Sequence, residues 1–274
     1  LGSASNRIRV HSSRSSVNYL QGAAATYTLL KGLDLTAFFS YRKIDATLSE
    51  QGGIRTIQKT GLHRTLKEIA KQNIASNTLM GGNINYRNQG WHIGATGFYT
   101  SFSLPLTPDQ SQLYKRFAPQ GYNFWNASMD YGYVSHRWTI AGETATGNCG
   151  AIATLNAASY LFSDHFSLLA LHRFYSARYY SLFSNSFSEG SDVQDENGVY
   201  LGFTWIPAHR WSITAYSDFA YFAWPKYQTR ESTQSWDNLL NILFQPSRVL
   251  TVGGRFRYKD KAGTTTGRLR LYAT

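Results

Sequence analysis

"FTWIPAHRWSITAY" (203–216) sets Trp205 and Trp211 either side of a short break, Pro207-Ala208-His209-Arg210. On each side apolar and polar residues alternate, the period of a β-strand whose side chains point in turn to opposite faces. Two such runs joined by a few turn-forming residues read as a hairpin. The arrangement recurs along the chain. Tight breaks fall at Lys31-Gly32, Asn88-Gln89-Gly90, Ser135-His136-Arg137, Ser163-Asp164-His165 and Gln245-Pro246-Ser247-Arg248. Aromatics crowd most of them: Tyr86 and Trp91, Tyr133 and Trp138, Phe162 and Phe166, then Phe244.

Between consecutive tight breaks lie longer polar connections, at 43–78, 104–121, 146–150, 181–197, 223–235 and 259–266. Strict alternation of short turns with long loops predicts an up-and-down topology with every short turn at one end. The runs between them reach about 11 to 13 residues; a membrane strand needs roughly 9–11, and ordinary strands have a mode near 5–6. Together with aromatics at the run ends, this predicts an all-β, transmembrane, antiparallel up-and-down β-barrel of about twelve to fourteen strands. Trp91, Trp138, Trp205, Trp211 and Phe244 form one aromatic girdle at the tight-turn end. A second comes from Tyr99, Phe124, Trp125, Phe174, Tyr179, Tyr180, Phe222 and Trp224 near the loops. A soluble sandwich would alternate in the same way with its apolar face turned inward.

Composition agrees. Of 274 residues, 42% are hydrophobic and 15% aromatic, yet only 16% are charged and the mean hydropathy is −0.35. No stretch approaches the roughly 18 uncharged apolar residues of a membrane helix. The formal net charge of +11 points to an anionic partner: lipid headgroups, an acidic solute or nucleic acid. The single cysteine, Cys149, excludes an internal disulfide and a multi-cysteine metal site. Nothing implies a cofactor. The whole chain, 1–274, reads as one barrel domain cut at both ends, with a half strand at 6–11 and an unfinished run at Thr274.

Charges mark the polar strand faces. Arg42, Arg87, Asp130, Glu143, Asp218, Arg255, Arg257, Arg268 and Arg270 all fall there, and lipid exposure of such groups costs about 2–4 kcal/mol for Arg or Lys at mid-membrane. They therefore face a lumen, where they either fill the barrel as a salt-bridge network or line a passage favouring anions. One segment breaks the strand period. "TLKEIAKQN" (65–73) places Thr65 three residues before Glu68, a capping box, and predicts a short helix. That helix, with His63 and Arg64 before it, is either a loop element at the mouth or a plug dipping into the lumen. His63 is the histidine best placed for a functional role; His92 faces the lumen; His136, His165 and His209 sit in solvated turns, and His11 and His172 have no evident partner. "DVQDEN" (192–197) lacks the ordered ligands and terminal Glu of a calcium loop and reads as an acidic external loop. There is no nucleophile-elbow glycine pattern and no His-Glu-x-x-His.

"GLHRTLKEIAKQN" (61–73), "GGNINY" (81–86), "NASMDYGY" (126–133), "AGETA" (141–145), "FSEGSDVQDENGVYLGFTWIP" (187–207) and "WSITAYSDFAYFAWPKY" (211–227) resemble a family of Gram-negative outer-membrane barrels that carry a helix-hairpin-helix domain. The likeness covers roughly residues 60 to 260. It implies an outer-membrane location and no transferable catalytic residues. The family's helix-hairpin-helix region is DNA-binding in type and lies outside this chain, so any DNA partner would be reached only through it. The leading expectation is a non-enzymatic transport channel or scaffold, with outer-membrane lipid and an anionic solute as partners. The alternatives are an outer-membrane hydrolase with a site at the rim and a barrel linked to DNA uptake.

Overall fold

The computed structural model describes residues 19–273 except 59, 184, 185, 191, 228 and 263. The half strand expected over 6–11, and His11, lie outside them. The strands are β1 (Gly22–Leu30), β2 (Leu33–Ile44), β3 (Ala46–Leu48), β4 (Ile54–Ile57), β5 (Ala75–Asn88), β6 (Trp91–Leu106), β7 (Gly121–Val134), β8 (Trp138–Gly147), β9 (Ala153–Ser163), β10 (Phe166–Tyr175), β11 (Glu196–Trp205), β12 (Trp211–Phe222), β13 (Thr233–Phe244), β14 (Val252–Lys261) and β15 (Thr264–Ala273). Among the described residues one α-helix, α1 (Leu66–Ile69), and a single 3-10 turn at Leu113–Lys115 accompany them. No described helix is long and apolar enough to cross a membrane. Paired neighbours follow chain order from β1 to β15, with only β3 and β4 off the path. This is the antiparallel up-and-down order expected. The order runs out at β15.

The chain divides into two compact units, one through Met129 with Ala145–Gly150, the other Asp130–Thr144 with Ala151–Thr274. In the first, Asn88 pairs with Trp91 across a two-residue turn. Gln89 and Gly90 both have positive φ, 45° and 88°. That conformation matches the twist of a tight hairpin and is why a glycine stands there. In the second unit, Ser135 Oγ accepts the Trp138 N–H at 3.0 Å and closes the β7–β8 turn.

Register fixes the faces. In the first unit Arg42 lies opposite Asn77, which lies opposite Phe102; Thr36, Asn83 and Thr96 form another row on the same face. Ser40, Arg42, Asn77, Asn85 and Thr100 on this face are buried. The other face carries Leu35, Phe39, Met80, Ile84, Trp91, Ile93 and Tyr99, all exposed. The second unit repeats the pattern. Arg173, Glu196, Asp218, Ser235 and Asp237 are buried on one face, while Leu168, Val199, Leu201, Phe219, Trp236, Leu240, Phe256 and Leu269 are exposed on the other. A water-soluble sandwich has the reverse arrangement. Aromatics line the exposed face at the tight-turn end: Trp138, Tyr160, Phe162, Phe166 and Phe203 follow one another with ring centroids 4.5–6.2 Å apart. Trp211 stacks on Phe244 at 4.6 Å.

A charge placed on the exposed apolar face is therefore expected to behave unlike one on the polar face. Leu201→Arg should lower folding stability in phospholipid vesicles by about 2–4 kcal/mol, and Thr214→Arg, on the other face, by less than about 1 kcal/mol. Urea titration of vesicle-folded protein checks this, and equal costs would overturn the face assignment.

Two sequence expectations need correcting. The long connection at 259–266 is a tight turn: β14 runs to Lys261 and β15 starts at Thr264, with Asp260 and Lys261 still in register with Thr265 and Thr264. Turn lengths therefore do not alternate strictly. The second aromatic girdle is divided between faces. Tyr99, Trp125 and Phe174 are exposed, but Phe124, Tyr179 and Phe222 are buried. Phe124 packs edge-on to Phe102 at 6.1 Å, on the polar face of its own unit. The short helix expected within 65–73 is present as α1. Its capping box is present, with Thr65 Oγ1 accepting the Glu68 N–H at 3.2 Å and Glu68 Oε2 accepting the Thr65 N–H at 3.2 Å. The Arg64 N–H adds 2.7 Å to the same oxygen. Leu66 is 86% exposed and the helix buries none of its residues.

Candidate functional site

The densest charge cluster lies on the polar face of β10 to β14. Arg173 on β10 is 0% exposed. Its partner directly across on β11 is Gly198, where a Cβ would come within 2.6 Å of the guanidinium. Because that position has no side chain, Arg173 passes over β11 and reaches β12. There its Nη1 and Nη2 donate to Asp218 Oδ1 and Oδ2 at 2.7 and 3.2 Å, a two-pronged fork. Its Nε donates to Glu196 at the start of β11. Asp218 faces Asp237 directly across β12–β13. Two carboxylates so opposed repel; here each is taken by an arginine from the far side, Arg173 for Asp218 and Arg257 for Asp237.

A loop segment lies on this face. Glu189 and Gly190 donate their backbone N–H groups to Glu196 Oε1 and Oε2 at 2.8 and 2.9 Å. Phe187 lies over the Arg173 guanidinium at 5.1 Å and meets the Tyr200 ring edge-on at 5.7 Å. Tyr175 donates its hydroxyl to the Phe187 carbonyl at 2.7 Å. The Glu189 carboxylate takes Lys259 at 2.6 Å and Lys261 at 3.1 Å. Burial pushes the Glu189 carboxyl up, but the hydrogen bonds from Lys259 and Lys261 outweigh it, and the net result lies below the ordinary value. The strap 186–190 is thus tied to β11 by its backbone and to β14 by its acid.

A second clamp holds the neighbouring loops. Asp195 accepts the Trp224 N–H at 3.0 and 3.1 Å, and Lys226 approaches it at 3.8 Å. Burial raises the Asp195 carboxyl and lowers the Lys226 ammonium, and the contacts between them only partly offset it. Within the acidic stretch 192–197, Asp195 and Glu196 are both buried.

The residues singled out by sequence fare unevenly. Asp218 and Arg257 lie in the cluster. Arg255 faces Arg270, and Arg257 faces Arg268, across β14–β15. Among the described residues, Arg255, Arg268 and Arg270 form no ion pair. Glu143 is exposed and Asp130 half-buried. In the other unit, the Arg42 guanidinium lies over the Tyr19 ring at 5.5 Å and Arg87 donates to Asn85 Oδ1 at 2.7 Å. His92 faces Arg87 in register, on the polar face as expected. His63 Nε2 lies 2.8 Å from Asp45 Oδ2, while Asp45 Oδ1 accepts the Asn73 N–H at 2.9 Å. The pair pins the loop to the end of β2. Arg173, Glu189, Glu196, Asp237, Lys259 and Lys261 were not singled out.

No family model matches the chain, and no curated protein does. Solved structures do. Pseudomonas aeruginosa OpdQ is 14% identical, with a TM-score of 0.47, over 93% of this chain and 70% of that one. Acinetobacter baumannii OccAB4 is 9% identical, with a TM-score of 0.45, over 93% and 65%. A loop L8 deletion mutant of OmpT, an outer membrane protein of Vibrio cholerae, is 10% identical, with a TM-score of 0.26, over 92% and 88%. The chain thus spans about two thirds of the length of the first two. The helix-hairpin-helix likeness rests on the motifs quoted above.

Proposed function

We propose that this chain is the membrane-spanning part of a Gram-negative outer-membrane β-barrel that passes an anionic solute through a basic lumen and catalyses no reaction. The inverted faces carry this reading. Exposed Leu, Trp and Phe suit acyl tails, and buried Arg, Asp and Glu suit an enclosed aqueous interior. The lumen's sign follows from β14 and β15. Their polar face carries Arg255, Arg257, Lys259, Lys261, Arg268 and Arg270, answered by the carboxylates of Asp237 and Glu189. Such a surface concentrates anions and repels cations. The strap at 186–190, lying on this face, sets the width left for passage. The likeness to helix-hairpin-helix barrels fits the same reading, with DNA engaged only through a domain of that kind.

Single-channel recording in a planar bilayer under a potassium chloride gradient tests it. The reversal potential should show chloride preferred over potassium by a factor of about two or more, weakening as salt screens the fixed charge. The triple variant Arg255→Gln, Arg268→Gln, Arg270→Gln should bring the ratio close to unity. A closed chain with no conductance, or a cation preference in the wild type, would remove the proposal.

A further inference from the structure

The two opposed arginine pairs on β14–β15 have a geometry that a monovalent anion does not satisfy. Partners directly across an antiparallel pair have Cα atoms about 4.5–5.5 Å apart, and Arg255 to Arg257, or Arg268 to Arg270, spans two residues, about 6.7 Å. The four guanidinium stems thus rise from a rectangle of about 5 by 7 Å. Like charges directly opposite destabilise a sheet. A chain that places two such pairs side by side, with one carboxylate, Asp237 of β13, at their edge opposite Lys259, holds them for an external anion.

Asp237 shows what one carboxylate can do here. Its two oxygens take the Arg257 fork, with Nε donating to Oδ1 at 2.9 Å and Nη2 to Oδ2. Arg255, Arg268 and Arg270 are exposed and have no ion pair among the described residues. A planar carboxylate offers one edge for a two-pronged guanidinium; Arg257 fills that of Asp237, with Lys259 3.5 Å from Oδ2. A tetrahedral phosphoryl group offers three or more acceptor oxygens in different directions, so it can take forks from several arginines at once. Tyr272, on the same face two residues beyond Arg270, donates its hydroxyl to Asn241 Oδ1 at 3.3 Å and closes one side of the rectangle.

We infer that Arg255, Arg268 and Arg270, with Arg257 behind them, form a binding site for a soluble phosphoryl oxyanion of two or more negative charges, a diphosphate fitting the rectangle best. This rests on the reading of the polar face as water-filled. Because this face is turned away from the exposed Leu269 and Leu271, the ligand comes from the aqueous interior and not from a lipid headgroup.

The test is calorimetric titration of pyrophosphate, orthophosphate and acetate onto the full chain folded in neutral detergent at low salt. Pyrophosphate should bind at least about tenfold more tightly than acetate, with orthophosphate between them. Arg268→Gln with Arg270→Gln should weaken pyrophosphate at least about tenfold, at an unchanged far-ultraviolet β-sheet signal. Arg268→Lys with Arg270→Lys keeps the charge but not the fork and should recover only part of the loss. Acetate binding as tightly as pyrophosphate, or a glutamine pair with wild-type affinity, overturns the site; so does full recovery by the lysine pair, which would reduce it to diffuse charge. Repeating the titration in phosphatidylglycerol bicelles separates the two sources. Unchanged affinity supports a soluble ligand, and disappearance of the heat overturns it in favour of a headgroup. Pyrophosphate binding without bilayer conductance would sink the passage reading alone; conductance without pyrophosphate binding would sink this one alone.

Discussion

Arg173→Met is expected to destabilise the second unit by about 3–5 kcal/mol, because it leaves two buried carboxylates without their cation. Glu196 is 2% exposed and Asp218 8%. Neither can recover water's hydration, and Asp218 has the Asp237 carboxylate directly across from it. Methionine fills a similar volume, so the loss reports charge and hydrogen bonding, not a cavity. Urea unfolding of vesicle-folded protein, followed by tryptophan emission, measures it. Adding Glu196→Gln and Asp218→Asn to the same chain should recover most of the loss, since the carboxylates are then neutral. A single variant within about 1 kcal/mol of wild type would mean that the cluster stays hydrated and that its burial is nominal.

Glu189→Gln should free the strap without unfolding the strands. The lost contacts are two charge-assisted bonds, to Lys259 and to a half-exposed Lys261, together worth roughly 1–2 kcal/mol once solvent screening is allowed for. The backbone bonds from Glu189 and Gly190 to Glu196 should then open more often. Amide hydrogen exchange at Gly190 is expected to run about 5–30 times faster in the variant at pH 7. The pH dependence has a definite sign. The folded carboxyl of Glu189 lies below its ordinary value, so its contribution is present above about pH 4.3 and is lost as pH falls through the folded value. Wild-type exchange should therefore approach that of the variant at acid pH, while the ratio stays constant from pH 6 to 8. A ratio near one at pH 7 would mean that Phe187 and Tyr175 hold the strap unaided.

The strand architecture was readable because two independent periods agree. Alternation around Trp205 and Trp211 gave the faces, and the turn chemistry at Asn88-Gln89-Gly90 and Pro207 to Arg210 gave the ends. The capping box at Thr65 and Glu68 was readable for the same reason, being a local pattern with a local cause. The core of the charge cluster was hidden. Arg173 sits in "FSLLALHRFY" (166–175), where Leu169 and Leu171 occupy the polar face and blur the alternation. Its reach to Asp218 depends on Gly198, 25 positions along the chain, and only cross-strand register brings the two together. Glu196 looked like part of an acidic loop because a run of Asp and Glu is usually solvated; its burial comes from Arg173 on the neighbouring strand. The opposed arginine pairs could have been found by pairing the alternation of 250–258 with that of 268–271 across a tight turn. Reading 259–266 as a long loop concealed that register.

β6 has sixteen residues and β5 fourteen. At about 3.3 Å per residue β6 measures about 53 Å along its own axis, and at a tilt near 40° it climbs about 40 Å, against an apolar band about 25 Å tall. If the apolar face crosses a bilayer as proposed, that surplus stands clear of it as hydrogen-bonded sheet, with β4 paired to β6 at Leu106, and not as a slack tether.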